Sequence, residues 1–420
     1  MPMLNKYTAS ISDSLRLLNT KRFGTFWLAN FLSNIGTMAQ QVAQPWLLLS
    51  LGASPVILGL DSLALGAPIW TLTIWGGLLA DRGDRRKIIA YLQLTQMLCP
   101  ILLVGLLITN KVEPWMIVLL SLIIGITDAL SMPSFQTIVS SIVSKEQIPA
   151  ALALNATQFN LTRIIGPAIA GVLLVSLGAI GCFTISAVSY IPFILIAIWI
   201  LPKQLPRSRI ARKYDTRLFS GISEIMSIPY LRGGLITVLI SSLLCGPVLT
   251  FSSVLVKDVF LGGSLDFSIA MSSFGVGALL GASSLIFIKP SRDRRTIASL
   301  FAICFGSSIT LIGLNPFNQL LPVLMALAGY AMIITNISVN SLLQVHAPEL
   351  LRGQAISLFL MASRGGIGLG ALVTGISVNY VGVSGALTIN GLLAIALQLM
   401  LFSVWTKSSS HTKSQIITKS

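Results

Sequence analysis

Charge is what this sequence lacks most. Only 10% of its 420 residues are Asp, Glu, Lys or Arg, where a soluble globular chain carries about 25%. So few charges leave no means of covering a wet surface, which excludes a soluble globular protein. Acidic residues are the scarcest, 13 against 28 Lys and Arg. Histidine occurs twice: His346 lies at a helix end beside Pro348, and His411 in the tail. Neither has partners at ligand spacing, so both read as solvated or interfacial. Cys99, Cys182, Cys245 and Cys304 stand singly in apolar runs, without metal-ligand spacing or a disulfide framework. There is no Gly-x-x-x-x-Gly-Lys-Ser/Thr loop to cradle a nucleotide, and no His/Glu zinc motif or nucleophile elbow. An ATP motor and an enzyme are therefore without support, and neither cofactor nor metal is expected.

What the chain has instead is apolar length. Hydrophobic residues make up 54% of it, and the mean hydropathy is +0.86. A helix rising about 1.5 Å per residue needs about 20 apolar residues to cross the hydrocarbon core. That ruler finds spans at 23–50, 56–80, 88–109, 115–140, 148–176 and 179–201. A second set follows at 233–256, 267–288, 297–314, 320–345, 355–378 and 381–405. The expectation is an all-α membrane protein with about twelve transmembrane helices in two pseudo-symmetric six-helix bundles.

The net charge of +15 is spread in a way that argues against nucleic acid, which asks for one contiguous basic face. Basic residues cluster in every second loop: at Lys21 and Arg22, at Arg82, Arg85, Arg86 and Lys87, at Lys145, across 203–217, across 289–295, and at Arg352 and Lys407. The intervening loops hold only Lys111 and Lys257. This is the positive-inside pattern, and it predicts a multi-pass protein of the inner (plasma) membrane with both termini cytoplasmic. The first apolar run lacks a cleavage site, so no removable leader is expected.

Residues 1–22 read as a cytosolic N-terminal segment, 23–201 as the first bundle and 233–405 as the second. Between them, 202–232 is a basic, Pro-containing linker suited to anionic lipid headgroups. The Ser/Thr/Lys-rich residues 406–420 read as a disordered cytosolic tail. The halves also echo one another. Residues 77–86 (GLLADRGDRR) and 289–295 (KPSRDRR) both form a basic turn between the second and third spans of their half. Arg163-Ile-Ile-Gly166 in span five has a counterpart in Arg364-Gly-Gly-Ile-Gly368 in span eleven. Repeated halves with a site near the bilayer midplane are a common transporter plan.

Charges at mid-bilayer are costly and generally face a cavity. Asp61, Asp128, Arg163 and Arg364 are the charged residues inside the spans. Asp61 lies near the outer end of span two, within reach of interfacial water. Asp128 and Arg163 fall near the middle of adjacent spans, so a costly carboxylate has a guanidinium nearby to offset it. Asp128, with Asp61 as the next candidate, is the expected proton-coupling group; the bland alternative is a permanent Asp128–Arg163 ion pair that holds spans four and five together. Span one carries Asn30, Asn34, Thr37, Gln41 and Gln44 on one helical face, and span ten carries Asn336, Asn340 and Gln344. Such stripes are either glue between helices or the wall of a cavity.

The stretch GGLLADRGDRRK at 76–87 resembles the loop motif of the major facilitator superfamily. Residues 41–55 (QVAQPWLLLSLGASP) and the 154–171 region, with Arg163-Ile-Ile-Gly-Pro-Ala-Ile-Ala-Gly171, resemble the enterobactin-exporter-like (transmembrane secretion effector) branch of bacterial efflux proteins. The resemblance covers about residues 20–405. It implies two six-helix bundles around a central cavity and alternating access driven by an ion gradient. It also implies export of a siderophore or drug-like solute, with protons as the counter-ion. Two departures stand out: residues 166–171 only approximate the exporter signature of Gly-Pro followed by paired glycines, and Ser140 and Ser141 stand where many relatives have an acidic residue.

In relatives, spans one and ten line the cavity, which makes Asn30, Asn34, Gln41, Asn336 and Asn340, with Arg163 and Arg364, the expected substrate contacts. The expected gating motif is Gly77, Asp81, Arg82, Asp84, Arg85 and Arg86. Its glycines would allow close helix approach, and its carboxylates would latch arginines or helix-end amides at the cytosolic face. The bland alternative is that these arginines only set topology. Two further functions stay open beside efflux: uptake by symport on the same fold, and a non-transporting receptor or scaffold. The small solute, the proton and lipid are the expected partners; nothing in the plan requires more than a monomer.

Overall fold

Apolar runs of this length, when denied water, bond their backbone internally, and helices do that within one segment. The computed structural model describes residues 16–201, 218–285, 293–348 and 351–417, and among these every regular element is helical. The start of the N-terminal segment (1–15), most of the linker (202–217), the basic residues 289–292 and the last of the tail (418–420) lie outside the described residues. Ten helices among the described residues are long and apolar enough to cross a membrane.

By contact, the chain falls into two units: Met1–Leu51 with Thr71–Ser208, and Gly52–Trp70 with Arg209–Ser420. The first unit contains α1 (Lys21–Ser50). It also holds most of α3 (Pro68–Arg82), α4 (Arg85–Ile108), α5 (Pro114–Ser141), α6 (Ile148–Ser176) and α7 (Gly178–Trp199). Prolines in the first turn of α5 and α6 start those helices where a missing N–H is no loss. Gly178, at φ 64°, makes the tight turn from α6 into α7 that a residue with a Cβ would strain. Helix α1 packs on α6 and α7, and α4 packs on α5 and α7. Phe193 anchors one end of this core, with ring centroids 5.7 Å from Phe26 and 5.3 Å from Phe135.

The second unit begins with α2 (Pro55–Gly66) and continues with α8 (Leu218–Ser227), α9 (Pro229–Ile240) and α10 (Val248–Val254). It ends with α11 (Ser264–Ser284), α12 (Arg294–Leu314), α13 (Leu321–His346), α14 (Arg352–Leu360) and α15 (Gly366–Ile417). Helix α15 is broken at Gly382, where φ is 70° and ψ 170°. Its backbone stays helical to Ile417, through residues whose composition reads as a disordered tail.

Lipid gives apolar side chains no reason to seek one another, so helices approach where small residues let backbones touch. A Cβ at Gly277 would overlap the Ala326 carbonyl, and one at Gly329 the Phe274 carbonyl, so α11 and α13 meet backbone to backbone. Helices α2 and α15 interlock likewise: Gly59 faces Ala371, Gly368 faces Ser62, and Gly375 faces the Pro55 carbonyl. Five-residue π turns widen the rod at Ser241–Cys245, Leu255–Val259 and Met361–Gly365. At the last of these the Trp70 indole fills the notch over Gly365, and its Nε1 donates to the Met361 carbonyl at 3.0 Å. Nearby, Ser62 and Thr250 share a hydroxyl hydrogen bond of 2.8 Å.

Candidate functional site

Polar side chains on an apolar helix must find partners or a cavity. In the first unit the stripe on α1 does the former at three heights. Asn30 donates to Gln158 on α6 at 3.2 Å, Thr37 bonds Tyr190 on α7 at 3.2 Å, and Gln44 donates to Ser121 on α5 at 2.7 Å. The stripe is thus glue at Asn30, Thr37 and Gln44, while Gln41 is exposed and Asn34 half-buried.

Asp128 is not covered by protein. Its Oδ1 accepts from Gln96 Nε2 at 3.2 Å, and Gln96 Oε1 accepts from Gln93 Nε2 at 2.9 Å. Both glutamines, on α4, are buried, with exposures of 3% and 6%. Tyr190 lies within electrostatic reach of both Asp128 and Cys99. Arg163, half-buried on α6, stands 4.8 Å above the Phe159 ring. Sequence reasoning, which scanned for charge, missed Gln93, Gln96, Tyr190 and Gln158. The available signal was an amide pair at i and i+3 inside an apolar span.

In the second unit Asp61 is buried at 4% exposure, which corrects the expectation that it reaches interfacial water. Arg364 is exposed within the π turn Met361–Gly365. Asn336 and Asn340 are half-buried on α13, and Asn340 Oδ1 accepts from Gln344 at 2.9 Å.

The loop motif resolves into a helix cap. Asp84 caps α4, accepting from Arg86 N at 3.3 Å and from Arg86 Nε at 2.8 Å. Arg86 also reaches the Ile198 carbonyl in the last turn of α7 at 3.5 Å, where a cation meets the negative end of the helix dipole. Arg85 is half-buried, and the side chains of Asp81 and Arg82 lie outside the described residues. Gly76 does approach the carbonyls of Ala129 and Leu130 on α5, but among the described residues a Cβ at Gly77 would meet nothing within 4 Å. Gly77 is therefore no close-approach residue.

The second unit repeats the cap. Asp293 accepts from Arg295 N at 3.0 Å and forms a 2.9 Å ion pair with the same guanidinium. Arg295 then lies 4.6 Å over the Tyr230 ring, which sits 4.5 Å from the His346 ring at an interplanar angle of 40°. Partial burial pushes the Asp293 carboxyl up. The hydrogen bonds from Arg295 and the charges of Arg295 and His346 outweigh that and hold it below the ordinary value. A carboxylate with a lowered folded-state pKa stabilises above its unfolded value of about 3.9, and the contribution fades as pH falls through the folded value. Asp84→Ala and Asp293→Ala should each lower stability by about 1 kcal/mol at neutral pH, the usual worth of an N-cap. Thermal unfolding in detergent checks this; for Asp293→Ala the deficit should shrink under acid, and a deficit independent of pH would count against the charged cap.

The protein family described as transmembrane secretion effector matches residues 12–417. The staphyloferrin A transporter of Staphylococcus aureus (strain NCTC 8325 / PS 47) is 24% identical, over 90% of this chain and 95% of its own length. The enterobactin exporter EntS of Shigella flexneri is 27% identical, over 96% of this chain and 97% of its own. Among solved structures, the nucleoside transporter NupG aligns with a TM-score of 0.72 at 14% identity, over 91% of this chain and 99% of that one. A POT family transporter in complex with 5-aminolevulinic acid aligns at 0.70 and 15%, over 92% and 96%. At such identities these two speak for the fold alone.

Proposed function

Because the chain belongs to the transmembrane secretion effector family of major facilitator transporters, we propose that it is a secondary active exporter of a siderophore-like organic solute in the inner membrane. The observation that carries this reading is the end-to-end correspondence with a protein named as an enterobactin exporter. Twelve spans complete the plan: the ten apolar helices, with the last divided at Gly382, joined by the more polar α1. They form two six-helix bundles either side of the linker, with both termini cytoplasmic by the positive-inside pattern.

Transport proceeds by alternating access, and the counter-ion is the proton. Asp128, open to its surroundings yet hydrogen-bonded from one side, is the group that takes it up. Arg163 and Arg364 supply guanidinium groups for an anionic, oxygen-rich solute. Asn34, Gln41, Asn336 and Asn340 supply amides, while the Asp84–Arg86 cap and its neighbours in the loop motif hold the cytosolic end of the first unit.

The experiment is transport by the purified full chain in proteoliposomes, with enterobactin and staphyloferrin A as probes. An imposed pH gradient should drive at least one of them uphill, and cells lacking the protein should retain it. Failure of both siderophores, and of a panel of dyes, would sink the export reading.

A further inference from the structure

A carboxylate that binds and releases a proton inside a membrane changes its hydrogen-bonding character completely. Ionised, it only accepts; protonated, it donates one bond as well. A neighbour that can only donate, such as an arginine, serves the first state and opposes the second. One neighbour of Asp128 is an amide, and behind it stands a second amide.

In the arrangement described, Gln93 donates to Gln96 at 2.9 Å and Gln96 donates to Asp128 at 3.2 Å, the direction an ionised carboxylate requires. Turning both amides over reverses every bond. Protonated Asp128 would then donate to Gln96 Oε1, and Gln96 Nε2 would donate to Gln93 Oε1. No bond in the chain is lost in either state. Both glutamines are buried, so water is poorly placed to compensate a mismatched amide, and an unmade bond there would carry the full desolvation penalty.

We propose that Gln93 and Gln96 form a reversible amide relay that turns over with the proton on Asp128. They are positioning residues, not proton carriers: the proton stays on the carboxyl oxygen, and the amides rotate to match it. The titratable groups on the neighbouring helices are few, and α3, whose Gly76 meets α5 beside Asp128, carries Asp81 and Arg82. Helix α4 contributes Cys99 and, further off, Tyr91 and Arg85–Lys87; α7 contributes Tyr190 and Cys182. Helix α6 contributes Arg163 alone, and α1 carries charge only at Lys21 and Arg22 in its first turn. The Tyr190 hydroxyl can also donate or accept, and it is paired with Thr37 at 3.2 Å; the amide pair is the group seen bonded to the carboxylate.

The inference rests on Asp128 as the coupling group, so its test reads the proton directly and not transport alone. Infrared difference spectra of the reconstituted full chain, stepped in pH, should show a carboxylic C=O band that Asp128→Asn removes. Side-chain amide bands should change with the same midpoint. Gln96→Leu, or Gln96→Met if leucine impairs folding, removes the donor to the carboxylate. It should move that midpoint up by about one pH unit, because the bond lost from the ionised form is charge-assisted and the bond lost from the protonated form is neutral and roughly half as strong. Gln93→Leu leaves the carboxylate its donor but strips one bond from each state, so the midpoint should stay near the wild-type value. Amide bands silent through the wild-type titration would overturn the relay, as would an unmoved midpoint in a folded Gln96 variant. Absence of any band sensitive to Asp128→Asn would overturn it together with the coupling role. If Asp128→Asn keeps gradient-driven transport while the wild-type bands titrate together, the relay stands and only the coupling role fails.

Discussion

Asp128→Asn is expected to reduce transport driven by an imposed pH gradient to the level of protein-free liposomes, while the protein still folds and inserts. Asparagine keeps the shape of the side chain and an oxygen for Gln96 to donate to, so the packing of α4 on α5 has no reason to change. What disappears is the ability to carry a proton. A neutral side chain at this position also removes the cost of an ionised group in low dielectric, so the variant should be no less stable than wild type. Substrate binding to the purified variant, followed by tryptophan quenching, should persist. Full gradient-driven transport in Asp128→Asn would transfer the role to Asp61, which is buried in the second unit.

The largest effect on stability is expected at the crossing of α11 and α13. Gly277→Val places a branched side chain where the Ala326 carbonyl stands, and the opposing atom is backbone, which cannot rotate away. Overpacking of a core commonly costs about 1–3 kcal/mol where side chains can shift. Here the helices themselves must separate, and a cost above about 3 kcal/mol is expected, enough to unfold a marginally stable chain. The measurement is the thermal midpoint in detergent and the amount of protein recovered from membranes. Gly77→Ala is the control, since its added Cβ meets nothing within 4 Å. It should stay within about 0.5 kcal/mol of wild type or gain slightly from helix propensity. A Gly277→Val protein as stable as Gly77→Ala would show that the two helices are not held by that contact.

The positions of the spans were legible because apolar length is a property of the segment itself. The helices α4, α5, α6 and α7 begin and end within a few residues of the runs that announce them. The interruption of the second span between Gly66 and Pro68 was written in its Gly-Ala-Pro, yet the run reads as one segment because hydropathy continues through it. The cap was half legible. Asp84 and Asp293, each followed at i+2 by Arg, stand out as a repeat, but that Arg86 leans on the end of α7 depends on a neighbour 112 residues away. The polar stripe on α1 showed its spacing and hid its partners, which sit on three other helices. Gln93 and Gln96 were invisible to a search for charge, although a buried amide without a partner is also expensive. Gly76 and Gly77 are indistinguishable in sequence, and only the path of α5 makes one a contact and the other open.

The grouping of Gly52–Trp70 with the second unit sets a timetable for synthesis. Its partners on α15, Gly368 and Gly375 among them, emerge about 300 residues later, some 15–60 s of elongation at about 5–20 residues per second. Throughout that interval α2 has its glycine face in the bilayer without the surface it packs on in the finished protein, and the Ser62 hydroxyl waits 188 residues for Thr250. A ribosome stalled within the linker would leave such a nascent chain behind, and the membrane's quality-control proteases would meet it with an exposed seam. The pace of translation through the second half thereby becomes a determinant of how many first halves survive to be completed.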